Sequence, residues 1–213
     1  MPAGPETIIF GVVADTHIPD RARKLPKGLL EKFQEAQVQR ILHAGDASGC
    51  QVLRALKHVA PVSIVQGNRD WLLGLRIPKH ISFTANGVRI TLSHSHRSIL
   101  HYLIDKWAYI RKGYRFKRYY DQLSHDYPDA DVIVFGHTHH QTAKWVEGRL
   151  LFNPGAAYPC RYNHFTPQFG IISITPEGEI RTEFHHLNDQ NSQSKTWGNI
   201  VPETEWRGKQ SPE

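Results

Sequence analysis

Residue types that bind transition metals follow five apolar segments of this chain. The stretches are DTH, GD, GNRD, SHSH and GHTHH, and each lies at the end of an apolar segment. Four imidazoles, two carboxylates and one amide oxygen suit Mn, Fe, Zn, Co or Ni, and they differ from the all-oxygen sites of Ca or Mg. The candidate metal ligands are Asp15, His17, Asp46, Asn68, His94, His137 and His139.

The number and distribution of these ligands argue against chance clustering. The chain has 14 histidines among 213 residues, so a lone GHTHH stretch could equally be a surface turn. Five segments that end in the same way form a far more specific pattern than one short motif. Seven ligands exceed what one transition ion accepts, and they predict two ions about 3.5–4 Å apart that share a bridging carboxylate.

Short runs rich in β-branched residues predict the strands that carry these ligands. Helical spacing over 26–36 and 50–59 separates several of the runs, which indicates an α/β fold. Ligands of open α/β sheets bind at the carboxyl ends of the strands. From about residue 142 only turns separate the runs, which predicts antiparallel pairing and therefore mixed sheets. The predicted strands are 7–14, 40–45, 61–67, 88–94, 131–136, 148–153 and 169–176.

The spacing of Asp15 and His17 predicts how these two side chains are directed. They are two residues apart, so an extended backbone would point both side chains the same way. Glycine precedes the ligand in three of the five stretches, which allows a sharp turn and a close approach of the backbone. We therefore expect tight turns that lead straight from each strand into the site.

The segment between His94 and His137 is longer than a simple connection requires. Apolar residues at helical spacing predict two amphipathic helices with a break at Gly113, within a helical insertion over 97–125. Basic and aromatic residues surround the break, and they could bind a nucleotide-like phosphate ester. A solvated helical face whose aromatic residues pack on the body or on a second subunit explains the same pattern. The residues are Lys106, Arg111, Lys112, Arg115, Lys117, Arg118, Tyr109 and Tyr114.

Composition limits the substrates, partners and cellular compartment that fit this protein. The formal net charge of +6 fits an anionic substrate, and it permits nucleic acid as a partner without indicating it. The two cysteines are far apart, which argues against a disulfide framework and agrees with a reducing compartment. The first apolar run is too short to span a membrane, so we expect a cytoplasmic protein without a membrane partner. Residues 187–213 are polar and aperiodic, and we interpret them as a C-terminal tail.

The order of the motifs resembles that of the calcineurin-like metallophosphoesterases. The family pattern is D-x-H, G-D, G-N-[HCR]-[DE], a histidine after a strand, and G-H-x-H. It corresponds here to DTH, GD, GNRD, SHSH and GHTH, with a later NPG turn. The resemblance spans about residues 7–185, and the size is similar to the compact single-domain bacterial and archaeal phosphodiesterases. It implies a metallophosphoesterase domain over 1–186, built as a four-layer αββα sandwich of two mixed β-sheets flanked by helices.

The resemblance also implies how the ligands divide between two divalent transition-metal ions. Asp46 would bridge the ions, and His137 and His139 would each reach one of them. Mn is the expected metal, with Fe, Zn, Ni or Co as alternatives. The first ion would be held by Asp15, His17, Asp46 and His139, and the second would be completed by Asn68, His94 and His137.

The implied activity is metal-dependent hydrolysis of a phosphate ester, and more narrowly of a phosphodiester, by a hydroxide that bridges the metals. Asp46, Asn68, Arg69 and His96 are the expected catalytic residues. Arg69 stands where many relatives have histidine and the compact ones often have cysteine. Arginine cannot release a proton at neutral pH, so we expect it to clamp phosphate oxygens instead. His96 follows Ser95 where the family often has glycine, and it could contact the phosphate or only pack.

Two other functions fit the same residues. Some members of the family keep the fold as a protein-interaction scaffold with a weakened metal site, but all seven ligands are intact in this chain. A nuclease is also compatible with the basic charge, although no basic groove or aromatic ladder can be mapped on the sequence. A homo-oligomer remains compatible with either function. We interpret His140, His43, His58, Cys50 and Cys160 as residues outside the ligand set.

Overall fold

The structure is a computed structural model that describes residues 6–95 and 116–187. It contains ten strands, four α-helices and one short 3₁₀ helix within those ranges. The helices are α1 (Leu29–Glu35), α2 (Cys50–Lys57), α3 (Asn68–Leu72), α4 (Phe116–Asp126) and the 3₁₀ turn Arg161–Asn163. The strands are β1 (Ile8–Val13), β2 (Arg40–His43), β3 (Val62–Ile64), β4 (His80–Ala85), β5 (Val88–Ser93), β6 (Val132–Phe135), β7 (Thr142–Val146), β8 (Arg149–Asn153), β9 (Gln168–Ile174) and β10 (Ile180–His186).

The strands form two five-stranded sheets, and both are mixed as predicted. The first sheet has the order β10-β9-β1-β2-β3, and the second has the order β4-β5-β6-β8-β7. Strands β1, β2 and β3 run parallel, as do β5, β6 and β8, while the outer pairings are antiparallel. Each sheet therefore has three parallel strands whose carboxyl ends lie at one edge, which is the edge that can carry ligands.

The two sheets pack face to face around the main hydrophobic core. Phe10, Val12 and Leu42 of the first sheet contact the inner face of the second, where Val134 and Phe152 are fully buried. Residues one position away along the same strands point outward, because side chains alternate between the faces of a strand. Both faces of β1 and β2 are thus apolar. One face supplies the core between the sheets, and the other supplies the surface that the helices cover.

Helices cover the outer face of each sheet, which confirms the predicted four-layer sandwich. Leu29 and Phe33 of α1 and Leu56 of α2 pack on the outer face of the first sheet, next to Val13 and Ile41. On the other side, Leu123 of α4 packs in a cluster on the outer face of the second sheet, which includes Ile133, Phe135 and Leu151. The four layers follow in the order α1/α2, first sheet, second sheet, α4.

The second of the two amphipathic helices predicted after His94 is present as α4. The first predicted helix, the break at Gly113, His96 and most of the basic aromatic cluster lie outside the described residues. The insertion over 97–125 and the tail over 187–213 therefore stay predictions. None of the helices in the described ranges is long and apolar enough to cross a membrane.

Three strands were not predicted from the sequence: β4, β7 and β10. All three lie at the edges of their sheets. β4 reads HISFTA and β10 reads IRTEFHH, so polar and exposed residues alternate with apolar ones. Edge strands tolerate and often require such polar residues, which explains why a search for β-branched runs finds the inner strands and misses these.

Candidate metal centre

The seven predicted ligands converge at the shared carboxyl edge of the two sheets. The first sheet contributes the residues that follow β1, β2 and β3, and the second contributes those that follow β5 and β6. Asp15, His17, Asp46, His94 and His139 are buried there, each with no more than 8% of its surface exposed. The remaining two, Asn68 and His137, are half-buried.

One half of the site is built from Asp15, His17 and His139. The Nε2 atom of His139 lies 3.3 Å from Oδ1 of Asp15, and Nε2 of His17 lies 3.8 Å from the same oxygen. One ligand atom from each of the three residues falls within 4.8 Å of the others, which is a spacing that one metal ion can span. This group matches three of the four ligands expected for the first ion.

The other half of the site is built around Asn68. Its Oδ1 lies 3.2 Å from Nε2 of His94 and 3.2 Å from Nδ1 of His137. The rings of these two histidines meet edge to face with their centroids 5.2 Å apart. The amide oxygen and the two ring nitrogens thus face one another from α3 and from the ends of β5 and β6.

Asp46 lies between the two halves. Its Oδ2 is 3.7 Å from Nε2 of His17 and 3.6 Å from Nε2 of His94. Its other oxygen, Oδ1, accepts a hydrogen bond from the backbone N–H of Arg69 at 2.8 Å, which fixes the orientation of the carboxylate. Asp15 Oδ1 is 4.0 Å from the same His94 nitrogen, so both carboxylates face both groups of histidines.

The residues present fit a metal ion. Both ring nitrogens of His17 are buried and have no hydrogen-bond partner among the described residues. A buried imidazole without partners is unfavourable, because its polar atoms have lost water and gained nothing. A divalent ion at Nε2 would supply the missing interaction, and the mixture of imidazole, carboxylate and amide oxygen is the donor set of Mn, Fe or Zn.

The buried carboxylates and imidazoles of the cluster shift one another's pKa values strongly. Burial opposes a charge on His94, yet Asp46 and Asp15 raise its pKa to about 9. Burial likewise opposes a charge on His139, but Asp15 raises its pKa to about 10. Burial would raise the pKa of Asp46, and the charge of His94 outweighs it and holds that pKa well below its usual range. Metal ions that bind these ring nitrogens must displace protons, because imidazole ligates only in its deprotonated form.

Comparison with known sequences decides the family. The model of the calcineurin-like phosphoesterase superfamily domain matches residues 8–176, and this range contains all seven candidate ligands. The chain belongs to this superfamily. Its match begins at the first residue of β1 and ends two residues after β9, so both sheets fall largely inside it.

Archaeal relatives align with most of the chain. A protein of Methanothermobacter thermautotrophicus named "Probable metallophosphoesterase" is 35% identical over 150 residues, which is 70% of this chain and 77% of the relative. A protein of Methanocaldococcus jannaschii named a phosphodiesterase is 25% identical over 186 residues, covering 81% and 96% of the two chains. The structure of Vacuolar Protein Sorting 29 from Cryptosporidium parvum has the same fold, with a TM-score of 0.69 at 20% identity over 87% of this chain and 94% of that one.

Left-handed turns, and not extended strands, direct the candidate ligands of this chain. The expectation that an extended backbone aligns Asp15 and His17 is wrong, because their φ angles are 51° and 49°. Asp46, His137 and His139 also have positive φ, at 57°, 73° and 59°. This conformation costs a side-chain-bearing residue about 1–2 kcal/mol, and asparagine, aspartate and histidine tolerate it best. Such outliers cluster at functional sites, where the surrounding structure holds them.

Hydrogen bonds between the loops hold these turns. The N–H of Asp15 donates to the Gly45 carbonyl at 3.0 Å, and the N–H of His17 donates to the Asp46 carbonyl at 3.0 Å. The β1 and β2 loops therefore support each other. A Cβ atom added at Gly67 would collide with the backbone nitrogen and the carboxylate of Asp46, so only glycine allows the loop after β3 to approach the site this closely.

Asp70 is a residue that the sequence analysis quoted within GNRD but did not assign to the site. It is fully buried, and its carboxylate accepts three backbone hydrogen bonds at 2.8 Å. The donors are the N–H groups of Asp46, Ser48 and Gly67. Asp70 thus joins the loop that carries Asp46 to the turn that carries Asn68. Its position three residues after Gly67, at the start of α3, is the signal that could have identified it.

The other predicted residues lie around the site in different ways. The backbone N–H of Arg69 donates a hydrogen bond to Asp46 Oδ1, while its guanidinium Nε pairs with Asp20 Oδ2 at 3.3 Å. His140 is half-buried, and its ring lies 5.7 Å from the ring of Tyr162. Cys160 is closer to the site than its assignment outside the ligand set suggested, because its Sγ lies 3.9 Å from Nδ1 of His139.

Proposed function

We propose that this chain hydrolyses phosphodiesters with two divalent transition-metal ions, of which Mn is the expected one. The observation that carries the proposal is the position of Asp46 Oδ2, within 3.7 Å of a histidine of each half of the site. Membership of the phosphoesterase superfamily and the relatives named as metallophosphoesterase and phosphodiesterase support a hydrolase. The phosphodiesterase named among them supports the choice of a diester.

Asp46 would bridge the two ions, and each half of the site would complete the coordination of one. When bound, two such ions activate water and offset the charge that develops on a transferred phosphoryl group. The chain itself holds the ligands rigidly, because loops with left-handed turns are tied together by Asp70 and by the backbone bonds of Asp15 and His17. Rigid placement of charges before the reaction is the main source of such catalysis.

Arg69 follows the candidate ligand Asn68 directly, and its partly exposed side chain pairs with Asp20. A guanidinium has five N–H donors and remains charged, so it can bind phosphate oxygens but cannot protonate a leaving group at neutral pH. We therefore expect esters with acidic leaving groups, such as bis-p-nitrophenyl phosphate, to be good substrates. Alkyl monoesters, whose leaving groups need a proton, should be poor ones.

The central experiment measures metal content and turnover together. Protein treated with EDTA and then supplied with Mn²⁺ should hydrolyse bis-p-nitrophenyl phosphate, and elemental analysis should show two ions for each chain. Protein that has been treated with EDTA alone should be inactive. Bound metal without turnover of any phosphate ester would instead support the interaction scaffold, and binding of a single ion would contradict the dinuclear site.

Replacing Arg69 by alanine tests the expected clamp. The change leaves the backbone N–H that supports Asp46, so only the guanidinium is lost. Because a hydrogen bond to a charged group contributes about 1.5–3 kcal/mol, we expect the kcat/KM for bis-p-nitrophenyl phosphate to fall about tenfold or more. The matched control is Arg76→Ala, which removes an exposed arginine seven residues further along. Full activity of the Arg69→Ala protein would show that this side chain does not contact the phosphate.

A further inference from the structure

A second arginine lies beside the proposed metal centre, in the loop that follows β1. Arg21 and Arg69 both point at the carboxylate of Asp20, with Nε to Oδ2 distances of 3.9 Å and 3.3 Å. We call these three residues the arginine rim. Asp20 therefore pairs with two guanidinium groups, one from the residue after Asn68 and one from the loop after β1.

Tyr158 fixes the position of Arg21 relative to the centre. Nη1 of Arg21 donates a hydrogen bond to the Tyr158 hydroxyl at 2.9 Å. The ring of Tyr158 packs edge to face on His17 with centroids 4.8 Å apart, and on His139 with centroids 5.6 Å apart. A single tyrosine therefore connects Arg21 to two candidate ligands of the first ion.

Arg21 keeps unused hydrogen-bonding capacity in this arrangement. Its side chain is 39% exposed, and its contact with Asp20 is long at 3.9 Å. A guanidinium offers five N–H donors, and the bond to Tyr158 uses one of them. Four donors remain beyond the bond to Tyr158, on a side chain that is partly open to solvent.

The charges of the rim exceed what a single phosphodiester requires. Two arginines and one aspartate leave one positive charge, in addition to the metal ions that would neutralise the reacting phosphate. Arg69 directly follows Asn68, a candidate ligand of the second ion, whereas Arg21 is held by Tyr158 beside His17 and His139, candidate ligands of the first ion. We propose that Arg21 binds a second anionic group of the substrate, so that the preferred substrates carry a phosphate or carboxylate in addition to the phosphodiester that is cleaved. This inference rests on the proposed function for the identity of the reaction, while the binding step can be measured without it.

A binding measurement separates this proposal from the hydrolytic activity. Thymidine 3′,5′-bisphosphate and thymidine 5′-monophosphate are titrated by calorimetry into the full chain loaded with Mn²⁺, so that the metal ions can hold one phosphate of each ligand. We expect the bisphosphate to bind more tightly than the monophosphate, and the Arg21→Ala protein to lose about tenfold in affinity for the bisphosphate. Because no turnover is needed, a chain without any hydrolytic activity would still give this result if the rim binds anions.

A kinetic measurement locates the second anion. The p-nitrophenyl ester of thymidine 5′-phosphate is compared with the same ester carrying an additional 3′-phosphate, since the two differ only in that group. We divide the KM of the 3′-phosphorylated ester by the KM of the ester that lacks this group. This KM ratio should be about tenfold higher in Arg21→Ala than in the wild type. Tyr158→Phe removes only the hydroxyl that holds Arg21, and it should shift the ratio in the same direction by a smaller factor.

Arg23→Ala is the matched control, because it removes an exposed arginine two residues away from Arg21. Its KM ratio and its affinity for the bisphosphate should equal those of the wild type. An equal rise of both KM values in Arg21→Ala would place Arg21 on the reacting phosphate and overturn the proposal. Unchanged affinity and unchanged KM ratio, with the unfolding temperature preserved, would overturn it as well and leave Arg21 as a partner of Asp20 and Tyr158 only.

Discussion

Replacing Asp46 by asparagine is expected to remove most of the bound metal and at least about 100-fold of the hydrolytic activity. The Oδ2 atom faces a histidine of each half of the site, and asparagine would present either a neutral oxygen or an N–H₂ group there. Losing a residue that merely supports a metal ligand costs about 10–100-fold in affinity or activity, so losing a shared ligand should cost more. Elemental analysis and kcat for bis-p-nitrophenyl phosphate measure the two losses.

Asparagine is the informative replacement because it preserves the local structure. It has the same size as aspartate, and its Oδ1 can still accept the hydrogen bond from the N–H of Arg69. Asp129→Asn serves as the control, since Asp129 is 81% exposed and lies before β6, at the end of that strand opposite the site. Near-normal metal content in Asp46→Asn would contradict the bridging role of this carboxylate.

Asp70→Asn is expected to destabilise the fold and to weaken metal binding, although Asp70 touches no metal in the proposed site. Its two oxygens accept three backbone N–H groups in a fully buried position. An amide offers one oxygen, so at least one buried donor loses its partner and faces another donor. We expect a loss of about 2–4 kcal/mol in the free energy of unfolding and a fall of about 5–10 °C in Tm.

Metal titration of the same variant separates the positioning role from stability alone. Asp70 holds the loop of Asp46 against the turn of Asn68, so its loss should lower the affinity for metal at temperatures where the variant is still folded. Asp121→Asn is the control: its carboxylate pairs with exposed Lys117 on the surface of α4, where such a pair contributes little. Wild-type metal affinity in a destabilised Asp70→Asn protein would restrict Asp70 to a purely structural role.

Much of the fold could be predicted from local sequence patterns. The inner strands are covered on both faces over most of their length, so β1 and β6 are apolar throughout and β2 and β5 largely buried, which makes them readily recognised. The edge strands β4, β7 and β10 mix polar with apolar residues, so a search for apolar runs misses them, although each forms a hairpin with its neighbour in the chain. This is why the mixed character of the sheets was predictable and their full extent was not.

The candidate ligands could also be found from the sequence, since each is a metal-binding residue type directly after an apolar strand. Residue type and order along the chain determined the set from Asp15 to His139 and its division into five loops. The tertiary structure decided how the set converges. The left-handed turns at Asp15, His17, Asp46 and His139 replace the extended geometry that spacing alone suggested.

Contacts between loops of different strands were visible only in three dimensions. Asp70 hydrogen-bonds to the N–H of Asp46, 24 residues earlier, and Arg21 donates to Tyr158, 137 residues later. Patterns of neighbouring residues in the sequence carry no information on such pairs, because the packing of the two sheets decides which distant residues meet. The sequence by itself therefore determined which atoms can bind metal, and the tertiary structure decided which of them face each other, which carboxylate lies between the two halves, and which arginines stand at the rim.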